Sequence, residues 1–134
     1  MRRSFPATLE SVEAFCQELR QSLAGLGPAG SPDAFAVEIL AREAVTNAVL
    51  HGSHRDPSLL VHCSLRIGPG RLSLRVSDQG AGFDWRRRSQ TGSDVDLPGG
   101  RGLELYRAYA HHVIFNARGN SILLIRNLSG DRHE

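Results

Sequence analysis

Along the chain the period of the apolar positions switches between about 3.6 and 2, and each switch marks a new element. Leu9, Val12, Cys16, Leu19 and Leu23 recur at intervals of three and four residues, which makes one helical stripe. The spacing predicts a helix over about residues 8–24, with Thr8 able to cap its start and Gly25-Leu26-Gly27-Pro28 closing it. The preceding Arg2-to-Pro6 segment suits a short edge strand. Ser31-Pro32 offers a second cap with Pro at the first helical position. The helix that follows should cover about residues 32–50 and stop near Gly52, with Phe35, Ile39, Leu40 and Val45 as its apolar set.

From there the period is 2. Leu59, Val61, Cys63, Leu65 and Ile67 alternate with more polar positions, Gly68-Pro69-Gly70 turns the chain, and Leu72, Leu74 and Val76 alternate back. This pattern predicts an antiparallel hairpin with one face on a core. A stretch of about 20 residues from Asp78 to Gly100, rich in Gly, Asp, Arg and Ser, comes next; lengths of that kind are typical of lids and binding loops. A third helix from about Arg101 to Ala110 leads into a second hairpin, Val113–Ala117 to Ser121–Leu128, through Arg118-Gly119-Asn120. The order β-α-α-β-β-loop-α-β-β predicts an α/β (α+β) two-layer sandwich. Its helices would cover one face of a mixed, mostly antiparallel or wholly antiparallel sheet.

At 134 residues the chain has the length of one domain. Apolar residues make up 40% and charged residues 22%, as in globular proteins rather than disordered ones. There is no apolar run long enough for a membrane span or a secretory leader, which points to the cytoplasm. Cys16 and Cys63 lie in different elements and form no metal-ligand spacing, so both are expected in the core. All 16 basic residues are arginine. A phosphate-binding P-loop depends on a lysine, so any nucleotide here is held another way. The net charge of +2 and the lack of an aromatic platform beside Arg86-Arg87-Arg88 argue against direct nucleic-acid binding.

Three clusters could carry chemistry. In Glu43-Ala44-Val45-Thr46-Asn47-Ala48-Val49-Leu50-His51, the Glu, Asn and His are four residues apart. Each step turns a helix by only about 40°, so all three share a face. A carboxylate can accept a proton, and an amide oxygen can ligate a hard cation such as Mg²⁺; a solvated polar stripe is the simpler alternative. In Asp78-Gln79-Gly80-Ala81-Gly82-Phe83, a strand-end carboxylate could accept an exocyclic amine while the glycines admit a flat ring. A plain Gly-rich turn explains that stretch equally well. In Gly99-Gly100-Arg101-Gly102-Leu103, backbone N–H groups opening a helix could hold an anion without lysine, or the glycines could form a hinge.

Taken in order, these segments resemble the GHKL ATPase superfamily, and the whole chain is similar to the anti-sigma factor serine kinases of bacterial partner-switching systems. The stretches that carry the resemblance run from Glu43 to His51, from Asp78 to Phe83 and from Asp96 to Leu103. The resemblance implies a histidine-kinase-like ATPase fold over residues 1–134, with an ATP lid at about residues 84–100. It implies ATP and Mg²⁺ as ligands, Asn47 as the residue holding the metal, and Glu43 as the general base. Asp78 would take the adenine amino group, with Gly80 and Gly82 around the ring. Gly100, Arg101, Gly102 and Leu103 would cradle phosphates, and His51 would lie near the nucleotide or pack under the lid. The superfamily places a Thr after a Gly in the late hairpin; here Gly119-Asn120-Ser121 stands there, leaving Ser121 as the displaced hydroxyl.

The activity so implied is phosphorylation of a STAS-type anti-anti-sigma protein on serine, by a kinase that also sequesters a sigma factor and forms a homodimer. Two alternatives remain: a switch kinase without a sigma factor partner, and an ATP-binding module that acts without turnover. A sensor histidine kinase is not expected, since no phospho-accepting helical hairpin precedes the domain. A gyrase-type ATPase is not expected either, because the chain stops where a transducer domain would begin.

Overall fold

Thr8 opens the first helix as the spacing predicts: its hydroxyl accepts the Ser11 N–H at 3.1 Å, and helix α1 covers Leu9–Leu23. The computed structural model describes residues 1–26, 31–81 and 102–128. Ahead of α1 lies strand β1, Arg2–Pro6. Helix α2 covers Ser31–Asn47 and widens into a π turn over Ala48–Gly52, where the Ser53 N–H donates to the Ala48 carbonyl at 2.8 Å. His54 and Arg55 then adopt left-handed φ angles of 51° and 59°, a conformation uncommon outside glycine that reverses the chain tightly. Strands β2, Leu60–Gly68, and β3, Arg71–Asp78, form the first hairpin. Helix α3, Gly102–Tyr109, precedes strands β4, His112–Phe115, and β5, Ser121–Asn127.

The sheet order is β1-β2-β3-β5-β4. Every pairing is antiparallel, so of the two sheet types left open by sequence the wholly antiparallel one is found. Alternation sends Val61, Cys63 and Leu65, Leu72, Leu74 and Val76, and Ile122 and Leu124 inward. They join the buried faces of the three helices in one core. The other face of the sheet has no helix on it among the described residues. Both cysteines are free and buried, and burial pushes the Cys63 thiol up to about 12, so it acts as a small apolar side chain. No described helix is long and apolar enough to cross a membrane.

Three apolar assignments differ from the periodicity, one of them Ile67 near the end of β2, which is 45% exposed. Leu9 is 44% exposed, and Phe15 enters the core instead, its ring 5.4 Å from that of Phe5. On α2 the buried set is Ala36, Val37, Leu40, Ala41, Ala44 and Val45, whereas Phe35 is 61% exposed. Small residues fill the interface because α2 packs against both α1 and the sheet, where closely packed backbones leave no room for a ring.

Candidate nucleotide site

One helical turn separates Glu43 from Asn47, and the side chains meet. The Asn47 amide Nδ2 donates to Glu43 Oε2 at 3.0 Å and to the Tyr106 hydroxyl at 3.1 Å. An amide nitrogen has two hydrogens, and both are committed. The orientation follows from chemistry, since an ionised carboxylate only accepts. Asn47 Oδ1 is left buried and without a protein partner, a costly state unless something else supplies a positive charge or a donor. A hard cation fits that oxygen. Burial raises the Glu43 carboxyl above its usual range, and the Asn47 hydrogen bond opposes the shift. Burial also raises Tyr106, keeping its phenol neutral.

The π turn begins directly after Asn47. His51 lies within this π turn and is exposed. The widening carries the helix end to the tip of β3. A Cβ on Gly52 would lie 2.3 Å from Asp78 Oδ2, and a Cβ on Gly80 would lie 1.9 Å from the Gly52 carbonyl oxygen. Only glycine allows so close a backbone approach. The Gly80 N–H donates to Asp78 Oδ1 at 2.7 Å, leaving the carboxylate's other oxygen beside Gly52. Burial raises the Asp78 carboxyl, with the Gly80 N–H, Arg118 and His54 acting the other way. Gly80→Ala should therefore separate the two segments, seen as a loss of thermal stability together with weaker ATP binding.

Asn120, given no role by sequence, clamps this turn. Its Nδ2 donates to the carbonyls of Asp78 and Gly80, both at 3.3 Å, and its own carbonyl accepts the Asp78 N–H at 2.9 Å. Asn116 organises the hairpin behind it, its Oδ1 accepting the N–H groups of Gly119, Asn120 and Ser121. Ser121 is not brought into the group. Its hydroxyl pairs with that of Ser77 at 2.9 Å, and both residues lie at positions that alternate away from Asp78. Gly102 opens α3, and Leu103 packs in the core. Gly82, Gly100, Arg101 and the expected lid at 84–100 lie outside the described residues. Tyr106 and Gly52, which sequence reading also passed over, stand out only once α3 and the end of α2 are in place.

Buried carboxylates at such a site oppose folding. A carboxyl raised in the native state is ionised at a penalty that is full above its native pKa and absent below its ordinary value. Glu43→Gln, which can still accept from Asn47, should thus raise the melting temperature at neutral pH. The gain should shrink as the pH falls through the raised native value and vanish below about 4, where glutamate is protonated in both states. Calorimetry across that range checks it.

Beside Glu43, a cleft of about 240 Å³ opens between α2 and α3, lined by Phe35, Glu38, Ile39, Arg42, Glu43 and Leu105. Three apolar side chains thus stand next to the raised carboxyl, on a route separate from the tip of β3.

Comparison with known proteins agrees with this fold. The histidine kinase-like ATPase domain family matches residues 5–126. The anti-sigma F factor of Geobacillus sp. (strain WCH70) is 39% identical over 47 residues, 35% of this chain and 32% of that protein. The serine/threonine-protein kinase BtrW of Bordetella bronchiseptica is 30% identical over 88 residues, 63% of this chain and 62% of its own length. These alignments span from about a third to somewhat under two thirds of the curated relatives. Among solved structures, the histidine kinase domain of the Erythrobacter litoralis EL346 blue-light activated histidine kinase superposes with a TM-score of 0.55 at 18% identity, over 90% of this chain and 62% of that one. The fold, the Asn47–Glu43 pair and the match over nearly the full length lead to one conclusion: the chain belongs to the histidine kinase-like ATPase domain family.

Proposed function

We infer that the protein is an ATP-dependent protein-serine kinase of a partner-switching system, with a STAS-type anti-anti-sigma protein as substrate and a sigma factor as second partner. The observation that carries the reading is the buried, unpartnered Asn47 Oδ1 one turn from a carboxylate raised by burial. The partial likeness to proteins named anti-sigma F factor and serine/threonine-protein kinase supports the choice of partners.

In this reading Asn47 holds Mg²⁺ through Oδ1, and the bound ion supplies neutralisation of the triphosphate charge. Asp78 accepts the adenine amino group, in a cradle that Gly52, Gly80 and Asn120 shape. The partner's serine approaches through the apolar cleft beside Glu43. The Glu43 carboxylate accepts the hydroxyl proton as the serine oxygen bonds to the γ-phosphorus and the bond to the ADP oxygen breaks. A carboxyl raised by burial is a stronger base than an exposed one, which favours proton acceptance near neutral pH.

Asn47→Ala should abolish the Mg²⁺ dependence of ATP binding in calorimetry, and the loss of its N–H donors should raise the Glu43 carboxyl further. Persistent Mg²⁺-dependent binding by that variant would remove Asn47 from the site. Asn120→Ala should weaken ATP binding about tenfold, the effect of losing roughly one charge-positioning hydrogen bond, whereas Ser121→Ala should leave it unchanged. Incubation with labelled ATP and candidate STAS proteins tests the whole reading. Label on a partner serine supports the kinase, and bound ATP without transfer identifies a module without turnover. Co-purification with a sigma factor identifies the second partner.

A further inference from the structure

The arginines of the described elements fall into two sets. On the helix side of the sheet four are answered by carboxylates, Arg3 by Glu18, Arg20 by Glu38, Arg42 by Glu13 and Arg126 by Asp33, and Arg107 lies on α3. On the opposite face, which carries no helix among the described residues, Arg2, Arg66, Arg71 and Arg75 project from β1, β2 and β3, and all four are exposed. None of the strand positions on that face, read from the pairing register, is Asp or Glu. Four arginines there against a net charge of +2 for the whole chain leave the remainder net acidic. Among the described residues, too, the charge away from these four arginines is net negative.

The same face carries an apolar half. The register runs from Arg75 to Leu123 on β5 and on to Ile114 on β4, which is 50% exposed. Arginine flanked by aliphatic surface, with serines between, is the composition of a protein-binding patch. Nucleic acid would meet the arginines but leave the aliphatic half unmatched, and the face carries no Phe, Tyr or Trp, only His62 and His112, as a stacking surface. A second copy of the chain docked face to face on this surface brings no carboxylate to it, so in that pairing its arginines would stay unanswered.

We propose that the open sheet face is a docking surface for an acidic, partly apolar segment of a protein partner. Carboxylates of the partner pair with Arg66, Arg71 and Arg75 while its aliphatic residues cover Leu123 and Ile114. The surface lies across the sheet from Glu43 and Asn47, so it acts independently of nucleotide.

The test uses fluorescence anisotropy with a labelled amphipathic peptide bearing glutamates on one helical face and leucines on the other. A lysine-for-glutamate version and a duplex DNA serve as comparisons. The acidic peptide should bind, and added salt should weaken it. Combined Arg66→Glu, Arg71→Glu and Arg75→Glu should weaken it at least tenfold, and Leu123→Ser several-fold, with circular dichroism unchanged because the arginines are exposed. The combined Gln substitutions at the same three arginines, milder for folding, should give an intermediate loss. Failure of the acidic peptide to bind, equal binding of the lysine version, or undiminished binding by both triple variants overturns the proposal. So does DNA binding that exceeds peptide binding and is lost in the triple variants, or a wild-type dimer that those variants split, as read by light scattering.

Discussion

Glu43→Ala is expected to retain Mg²⁺-dependent ATP binding and to slow transfer to the partner's serine by about 10²–10⁴-fold, the usual contribution of a positioned general base. The expectation rests on a division of labour within one helical turn. The amide of Asn47 is turned by its two donated hydrogen bonds so that only its oxygen remains available. The carboxylate of Glu43 is one of the groups that turn it, yet keeps the second oxygen for a substrate proton. Single-turnover kinetics with the partner, alongside calorimetry with nucleotide, separate the two roles. Normal transfer by the variant would take the base away from Glu43. The Glu43→Gln variant sharpens the test, because it keeps an acceptor for Asn47 and loses only the ability to take up a proton. The wild-type rate should also fall with pH at a value above that of an ordinary carboxylate, since burial raises Glu43.

The largest effect on stability is expected at Asp33→Ala, a loss of about 3–5 kcal/mol, enough to unfold a domain of this size. Asp33 sits in the first turn of α2 with its side chain only 2% exposed, and its Oδ1 accepts from Arg126 Nε at 2.9 Å. Arg126 also donates to the Tyr109 carbonyl at 2.7 Å. One guanidinium thus joins the start of α2, the end of α3 and the end of β5. Removing the carboxylate leaves a largely buried cation without its counter-charge, while the position also favours an anion at a helix start. Urea denaturation measures the loss. Replacing both partners together, Asp33→Leu with Arg126→Met, should cost much less than Asp33→Ala, because the penalty comes from the orphaned charge.

Much of the fold could be read from periodicity because each element has one buried face. The alternation of Leu72, Leu74 and Val76 and the stripe through Val12, Cys16, Leu19 and Leu23 specify it directly. The Glu43–Asn47 contact could be read for the same reason: a four-residue spacing on a regular helix places side chains together whatever the tertiary structure. His51 shows where that logic stops. It is exposed within a π turn that also brings Gly52 against Asp78, a tertiary arrangement that a four-residue spacing does not report. The late hairpin is similar. Whether Asn120 or Ser121 meets Asp78 is a matter of strand parity, set by how Asn116 gathers the turn, and a shift of one residue exchanges the two faces. Phe35 looked like core because it is aromatic and in phase, but α2 had already filled its interface with alanines.

The fixed amide of Asn47 limits which ligands the site can evolve. An aspartate there would bring a full charge, and in isolation would hold a divalent ion more strongly. Against Glu43 it would form a carboxylate pair that has to share one proton, and neither Glu43 nor the Tyr106 oxygen would receive the donors they now have. The gain in grip would be offset by a base already carrying its proton. In the proposed reading, a neutral ligand at Asn47 leaves the charge of the pair to Glu43, the residue that would use it.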